Sequence, residues 1–151
     1  MRSCNSLTIG ERLTSRAITF SETDIIAFAS LFDPQPYHLD RAAGDVSIFG
    51  GLCASGWQVA AFASRLLSEA LLAEDIDFVD ITEVEQLRWK KPLFVDDAIH
   101  VEVVVTGIEG GSPTPRCGSV NLAIDVNNTE GQLVAAMTCI AAIVDTKESV
   151  K

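Results

Sequence analysis

The stretch Trp57–Ala73, WQVAAFASRLLSEALLA, constrains this chain more than any other. Ala, Leu, Val and Phe fall on nearly every side of it, with Gln58, Ser64, Arg65 and Glu69 as the main polar breaks. A helix that is apolar nearly all round has to be buried, so the rest of the chain must enclose it. With 151 residues there is enough chain for one domain with one core, residues 1–151, with 1–6 and 146–151 expected to fray. The chain beyond the helix is strand-like. Phe78–Lys91 leads to Pro92. In Ala98–Ile108, the residues Ile99, Val101, Val103 and Val105 alternate with His100, Glu102 and Thr106, and Val104 interrupts the polar side. Glu109–Pro115 is a turn rich in Gly, Pro and Ser, and Arg116–Asn128 alternates again through Val120, Leu122, Ile124 and Val126. Asn128-Thr129-Glu130-Gly131 is a hairpin turn. Gln132–Asp145 is apolar on both faces, as a central strand should be. One buried helix against one long antiparallel sheet is an α+β layer arrangement.

Upstream of the helix, Leu7–Leu13 and Arg16–Phe20 read as short strands. Ser21 opens a capping box, S-E-T-D, and Ile25, Ile26, Ala29 and Phe32 recur at helical spacing, which predicts a helix over Glu22–Leu31. Asp33-Pro34 ends it, because a residue before proline is pushed out of the helical region. The next residues, D-P-Q-P-Y-H, hold two prolines and read as neither helix nor strand. A short helical piece, Asp40–Gly44, precedes I-F-G-G-L-C-A-S-G-W, whose glycines permit tight backbone geometry.

Composition excludes several classes of function. A formal charge of −10 speaks against nucleic acid, whose phosphates need a basic face. The longest apolar runs outside the helix, such as Val134–Val144, are too short to span a membrane, so no membrane partner is expected. The N-terminal residues lack the apolar core of a signal peptide. Cys4, Cys53, Cys117 and Cys139 show no C-x-x-C spacing and read as reduced thiols, so a cytoplasmic protein is expected and the Asn127-Asn128-Thr129 sequon is irrelevant. His38 and His100 lie far apart with no ligand cluster around them, so no metal site is expected.

Two segments carry candidate chemistry. Asp33 and His38 sit five residues apart on a proline-stiffened mount. A histidine donates or accepts a proton near neutrality, and a carboxylate beside it can share a water molecule and help take its proton. The spacing fits equally an Asp that caps a loop and a His packed beneath it. Further along, Ser55 is a natural N-cap for the long helix, and Gly56 leaves the helix N-terminus open to a ligand. Free N–H groups there can polarise a carbonyl oxygen as an oxyanion hole does, although a plain cap and close packing would use the same residues.

Three motifs in order, D33-P-Q-P-Y-H38, F49-G-G-L-C-A-S-G56 and L87-R-W-K-K-P-L-F-V-D-D97, resemble the MaoC-like dehydratases, which include the (R)-specific enoyl-CoA hydratases. The resemblance covers roughly Ile18 to Val144. It implies one MaoC-like hotdog domain, a sheet wrapped around a central helix, usually paired as a homodimer or in a higher homo-oligomer. It implies a hydro-lyase that adds water reversibly across the 2,3 double bond of an enoyl-CoA, or dehydrates a 3-hydroxyacyl thioester, within fatty acid metabolism. Asp33 and His38 would activate the water, and Gly56 with Ser55 would bind the thioester carbonyl. Acyl-CoA or acyl-ACP would be the partner, coenzyme A would be part of the substrate, and no separate cofactor is expected.

Three positions depart from the pattern: Gln35 stands where Asn is frequent, Ser55 where many members have His, and Asp96 where Gly usually precedes Asp97. The first two bear on substrate choice; the third is a turn variant. Gln35, Phe49, Trp57, Arg88, Lys90 and Lys91 are candidate substrate-binding residues. The basic group Arg88, Lys90 and Lys91 suits either coenzyme A phosphates or a solvated strand face. Phe49 and Trp57 either wall an acyl pocket or belong to the core, and His100 is expected to be exposed and non-catalytic. Two rivals remain from the sequence, a hotdog acyl-CoA thioesterase and a non-catalytic acyl-thioester-binding scaffold.

Overall fold

The computed structural model describes residues 1–145. The expected fraying at residues 146–151 lies outside them. The elements run β1 (Arg12–Thr14), β2 (Ile18–Thr19), α1 (Glu22–Phe32), α2 (Pro36–Leu39), α3 (Arg41–Asp45), α4 (Gly56–Ala73), β3 (Phe78–Trp89), β4 (Ala98–Glu109), β5 (Cys117–Asn128) and β6 (Leu133–Val144). The strands form one antiparallel sheet in the order β1-β4-β5-β6-β3, with β2 also pairing with β4. β6 lies between β5 and β3, which explains its two apolar faces.

The alternation in β4 and β5 sends Val101, Val103, Val105, Val120, Leu122 and Ile124 into the core. They meet α4, whose Leu66 and Leu67 are fully buried. Truncating either leucine to alanine at such a site costs about 2–5 kcal/mol. Phe20 seals the same core, its ring 4.4 Å from that of Phe62.

Two expectations need correcting. The long helix is not buried all round: the sheet covers the face carrying Val59, Ala63, Leu66 and Ala70, while Arg65 and Leu72 are exposed. Trp57, at 59% exposure, is not core, whereas Gln58, read as a polar break, is buried. Arg65 instead joins an ion-pair cluster in which it and Arg16 both hold Glu69, pulling that carboxyl down to about 2. Second, D-P-Q-P-Y-H is partly helical. Gln35 sits at the N-cap of α2 and Pro36 in its first turn, where the missing proline N–H and fixed φ do no harm. Within residues 1–6, expected to fray, Arg2 pairs with the backbone at Asp75 and Asp77, Cys4–Ser6 form a 3-10 turn, and Cys4 is buried.

Candidate active site

The loop after α1 and the start of α4 converge on one cavity of about 380 Å³. Asp33 ends α1, where its own N–H donates to Ala29 O. One turn of α2 then carries His38 inward, to a side-chain exposure of 8%, until its Nε2 lies 3.5 Å from Asp33 Oδ2. The ring is locked from the other side, where Nδ1 lies 2.6 Å from the Cys53 carbonyl oxygen. A carbonyl can only accept, so Nδ1 carries the proton. In the neutral imidazole, Nε2 is then a bare lone pair facing the carboxylate. Two acceptors 3.5 Å apart cannot bond to one another, but a water molecule can donate to both.

Ser55 holds the carboxylate. Its hydroxyl donates to Asp33 Oδ2 at 2.7 Å and accepts from the Trp57 N–H at 3.2 Å, so one side chain both caps α4 and fixes Asp33. Ser55 is fully buried and does not line the cavity. Its hydroxyl touches the carboxylate and not the cavity space. Gly56 does line the cavity and occupies the first position of α4, whose N–H has no acceptor within the helix. A Cβ there would stand 2.7 Å from Trp89 Nε1, and that indole donates to Gly56 O at 2.7 Å.

A family model described as "MaoC like domain" matches residues 5–128. The chain belongs to the MaoC-like family. An (R)-specific enoyl-CoA hydratase of Aeromonas caviae is 32% identical over 114 residues, 74% of this chain and 80% of that protein. The uncharacterized protein YdeM of Bacillus subtilis is 32% identical over 102 residues, 67% of this chain and 71% of that one. The crystal structure of the MaoC-like dehydratase from Rhodospirillum rubrum superposes with a TM-score of 0.83 at 34% identity, covering 96% of this chain and 98% of that one. The α+β sheet wrapped on α4 is therefore the hotdog fold expected from the motifs.

Within this MaoC-like chain, the cavity brings together Asp33, His38, Phe49, Gly56, Trp57, Lys90 and Lys91 from the sequence-based candidates. It leaves out Gln35 and Arg88, both of which are exposed and outside the lining. Gln35 caps α2 with its backbone and faces solvent, and Arg88 precedes the bend at which the strand reaches the site. His100, expected to be exposed, is half-buried with Nε2 3.8 Å from Glu102, on β4 and apart from the cavity lining. Sequence reasoning missed Tyr37, Cys53 and Trp89. Tyr37 packs edge-on to His38, with centroids 4.6 Å apart, and stands 5.1 Å from the Phe49 ring. Its place inside D-P-Q-P-Y-H, next to the histidine, was the available signal. Burial pushes the Cys53 thiol above its ordinary value, which keeps it neutral beside His38.

Proposed function

We propose that this chain adds water reversibly to a 2-enoyl-CoA thioester, or in reverse dehydrates a 3-hydroxyacyl thioester. The observation that carries this is the pairing of Asp33 Oδ2 and His38 Nε2 at 3.5 Å on the wall of one cavity. Water held between them delivers its oxygen to C3 of the enoyl group as one of the two acceptors takes its proton. The π electrons move toward the thioester carbonyl, and the Gly56 N–H at the N-terminus of α4 stabilises the negative charge that develops on its oxygen. The enolate then takes a proton at C2 on the same face, returning the pair to its starting state. Phe49, Tyr37 and Leu93 supply apolar wall for the acyl chain, while Lys90 and Lys91 lie at the rim within reach of phosphates on coenzyme A or a carrier-protein arm.

A second copy of the chain is part of this reading. Among the described residues β3 pairs only with β6, and it is exposed along most of its length, including Val79 at 47% and Val84 at 49%. A long strand with one free edge is covered most simply by another such edge. Light scattering on the purified protein should give twice the chain mass, and Val84→Lys should shift it toward the monomer.

The activity test is loss of enoyl-thioester absorbance with crotonyl-CoA. Asp33→Asn and His38→Ala, each folded by circular dichroism, should abolish most of it. Full activity in both variants would refute the mechanism. Release of free thiol in place of a 3-hydroxyacyl product would make the protein a thioesterase, and binding without turnover would make it a scaffold.

A further inference from the structure

The Gly56–Trp57 peptide unit is gripped at both ends. Its carbonyl oxygen accepts from Trp89 Nε1 at 2.7 Å, and its N–H donates to Ser55 Oγ at 3.2 Å. Ser55 is in turn bonded to Asp33 Oδ2 at 2.7 Å. A line of hydrogen bonds thus runs from the Asp33 carboxylate through Ser55 and one peptide plane to the indole. The Trp89 ring also fills the space where any side chain at position 56 would go, with three of its atoms at 2.7–3.0 Å from that point.

Trp89 itself is anchored from the sheet. Its backbone pairs with Ala135 on β6, and the N–H groups of Lys90 and Lys91 both donate to Val134 O. The Trp57 ring braces it edge-on, with centroids 4.9 Å apart. Neither ring is core: Trp57 is 59% exposed and Trp89 42%. Two exposed tryptophans locked together on the first turn of α4 fix that turn far more firmly than a glycine at its first position would allow. A glycine N–H that is to polarise a developing oxyanion must already point at it, since reorientation during the reaction costs rate.

We propose that Trp89 is a positioning residue, which aims the Gly56 amide at the thioester carbonyl by clamping the adjacent peptide plane from the sheet side. This rests on the hydratase reading. Trp89 then acts on the transition state through Gly56, beyond its place as a wall of the cavity.

The experiment compares the wild type with Trp89→Phe and with a variant carrying β-(3-benzothienyl)alanine at position 89. The latter keeps the bicyclic ring and loses only the N–H. Hydration of crotonyl-CoA is measured beside the infrared band of butyryl-CoA labelled with carbon-13 at the thioester carbonyl, a saturated ligand that binds without reacting. Both variants should lose roughly tenfold to a hundredfold in kcat while KM stays within about twofold. The labelled band, shifted to lower frequency in the wild-type complex, should return most of the way toward its free position. A rise in KM with unchanged kcat and an unchanged band would reduce Trp89 to a wall and overturn the proposal. If Trp89→Phe fails to fold, the isosteric variant decides alone. A wild type that neither hydrates crotonyl-CoA nor shifts the band would refute the hydratase reading, and the proposal with it. A wild type that does both, matched by its variants, would refute the proposal alone.

Discussion

The cavity has two unlike walls. The one built from the α1–α2 loop and the start of α4 is largely buried, and its polar groups are bonded inside the protein: His38 to Cys53 O, Asp33 to Ser55, Ser55 to the Trp57 N–H. The other one, where β3 runs out into Trp89, Lys90 and Lys91, is exposed and carries one indole ring and two cations. Buried hydrogen bonds hold atoms to a fraction of an ångström, as proton transfer demands. Exposed lysines are long, hydrated and mobile, which suits gripping a flexible phosphate-bearing arm. On the proposed reading, the first wall serves the chemistry and the second the holding. Trp89 is the point at which the second braces the first.

That division is testable in the kinetics. Asp33→Asn and His38→Ala should give the largest effect, a fall in kcat of about 10²–10⁴-fold with the fold intact. Ser55→Ala comes next. It removes the donor to Asp33 and the cap on α4 together, so kcat should drop about tenfold or more and stability by about 1 kcal/mol in chemical denaturation. Ser55→Thr, which keeps the hydroxyl, should recover most of both. The double substitution Lys90→Ala, Lys91→Ala should leave kcat alone and raise KM about fivefold, equivalent to about 1 kcal/mol of binding. The wild-type KM should rise toward that of the double variant with added salt, because exposed charges are screened. A fall in kcat in the lysine variant, or a pure KM effect in Ser55→Ala, would erase the distinction between the walls.

The smallest effect lies outside both. Asp96 holds φ at +68°, the left-handed conformation that glycine adopts without strain. The turn is kept by Asp97, whose carboxylate accepts the Phe94 N–H at 2.9 Å. Asp96→Gly should raise the melting temperature slightly, corresponding to about 0.5 kcal/mol, with unchanged kinetics.

Much of this was legible in the chain because it repeats. The alternation of Val101, Val103 and Val105, or of Leu122, Ile124 and Val126, states the strand and its inward face several times over. The cap at Ser21 was equally plain, its hydroxyl accepting the Asp24 N–H. Features too short to show a period, or set by partners distant in the chain, went unread. The four residues of α2 are too few to show a period, so Pro36 looked like a breaker when it opens a turn. Ser55 was recognised as a cap, but its second bond reaches a carboxylate 22 residues earlier, and Trp89 bonds a glycine 33 residues before it. No local pattern encodes such pairings. Gln35 shows the converse: a motif position read as substrate-binding lies exposed and outside the cavity lining.

The sheet order carries a consequence for how the molecule is assembled. Among the described residues β3 has one strand neighbour, β6, and Phe78 at its start registers with Ile143 near the other end of the described chain. During synthesis, β3 is made early and has to wait, unpaired, until residues 133–144 leave the ribosome. Closing so long a loop is slow, because its entropy is spent before any strand contact repays it. The half of the pocket drawn from residues 33–56 needs residues 93–94, which pair with Cys53 and Ala54, whereas Trp89, Lys90 and Lys91 take their places only when residues 133–144 dock. A nascent chain therefore carries Asp33 and His38 well before the cavity they line is complete, and release of residues 133–144 is the step that makes the pocket whole.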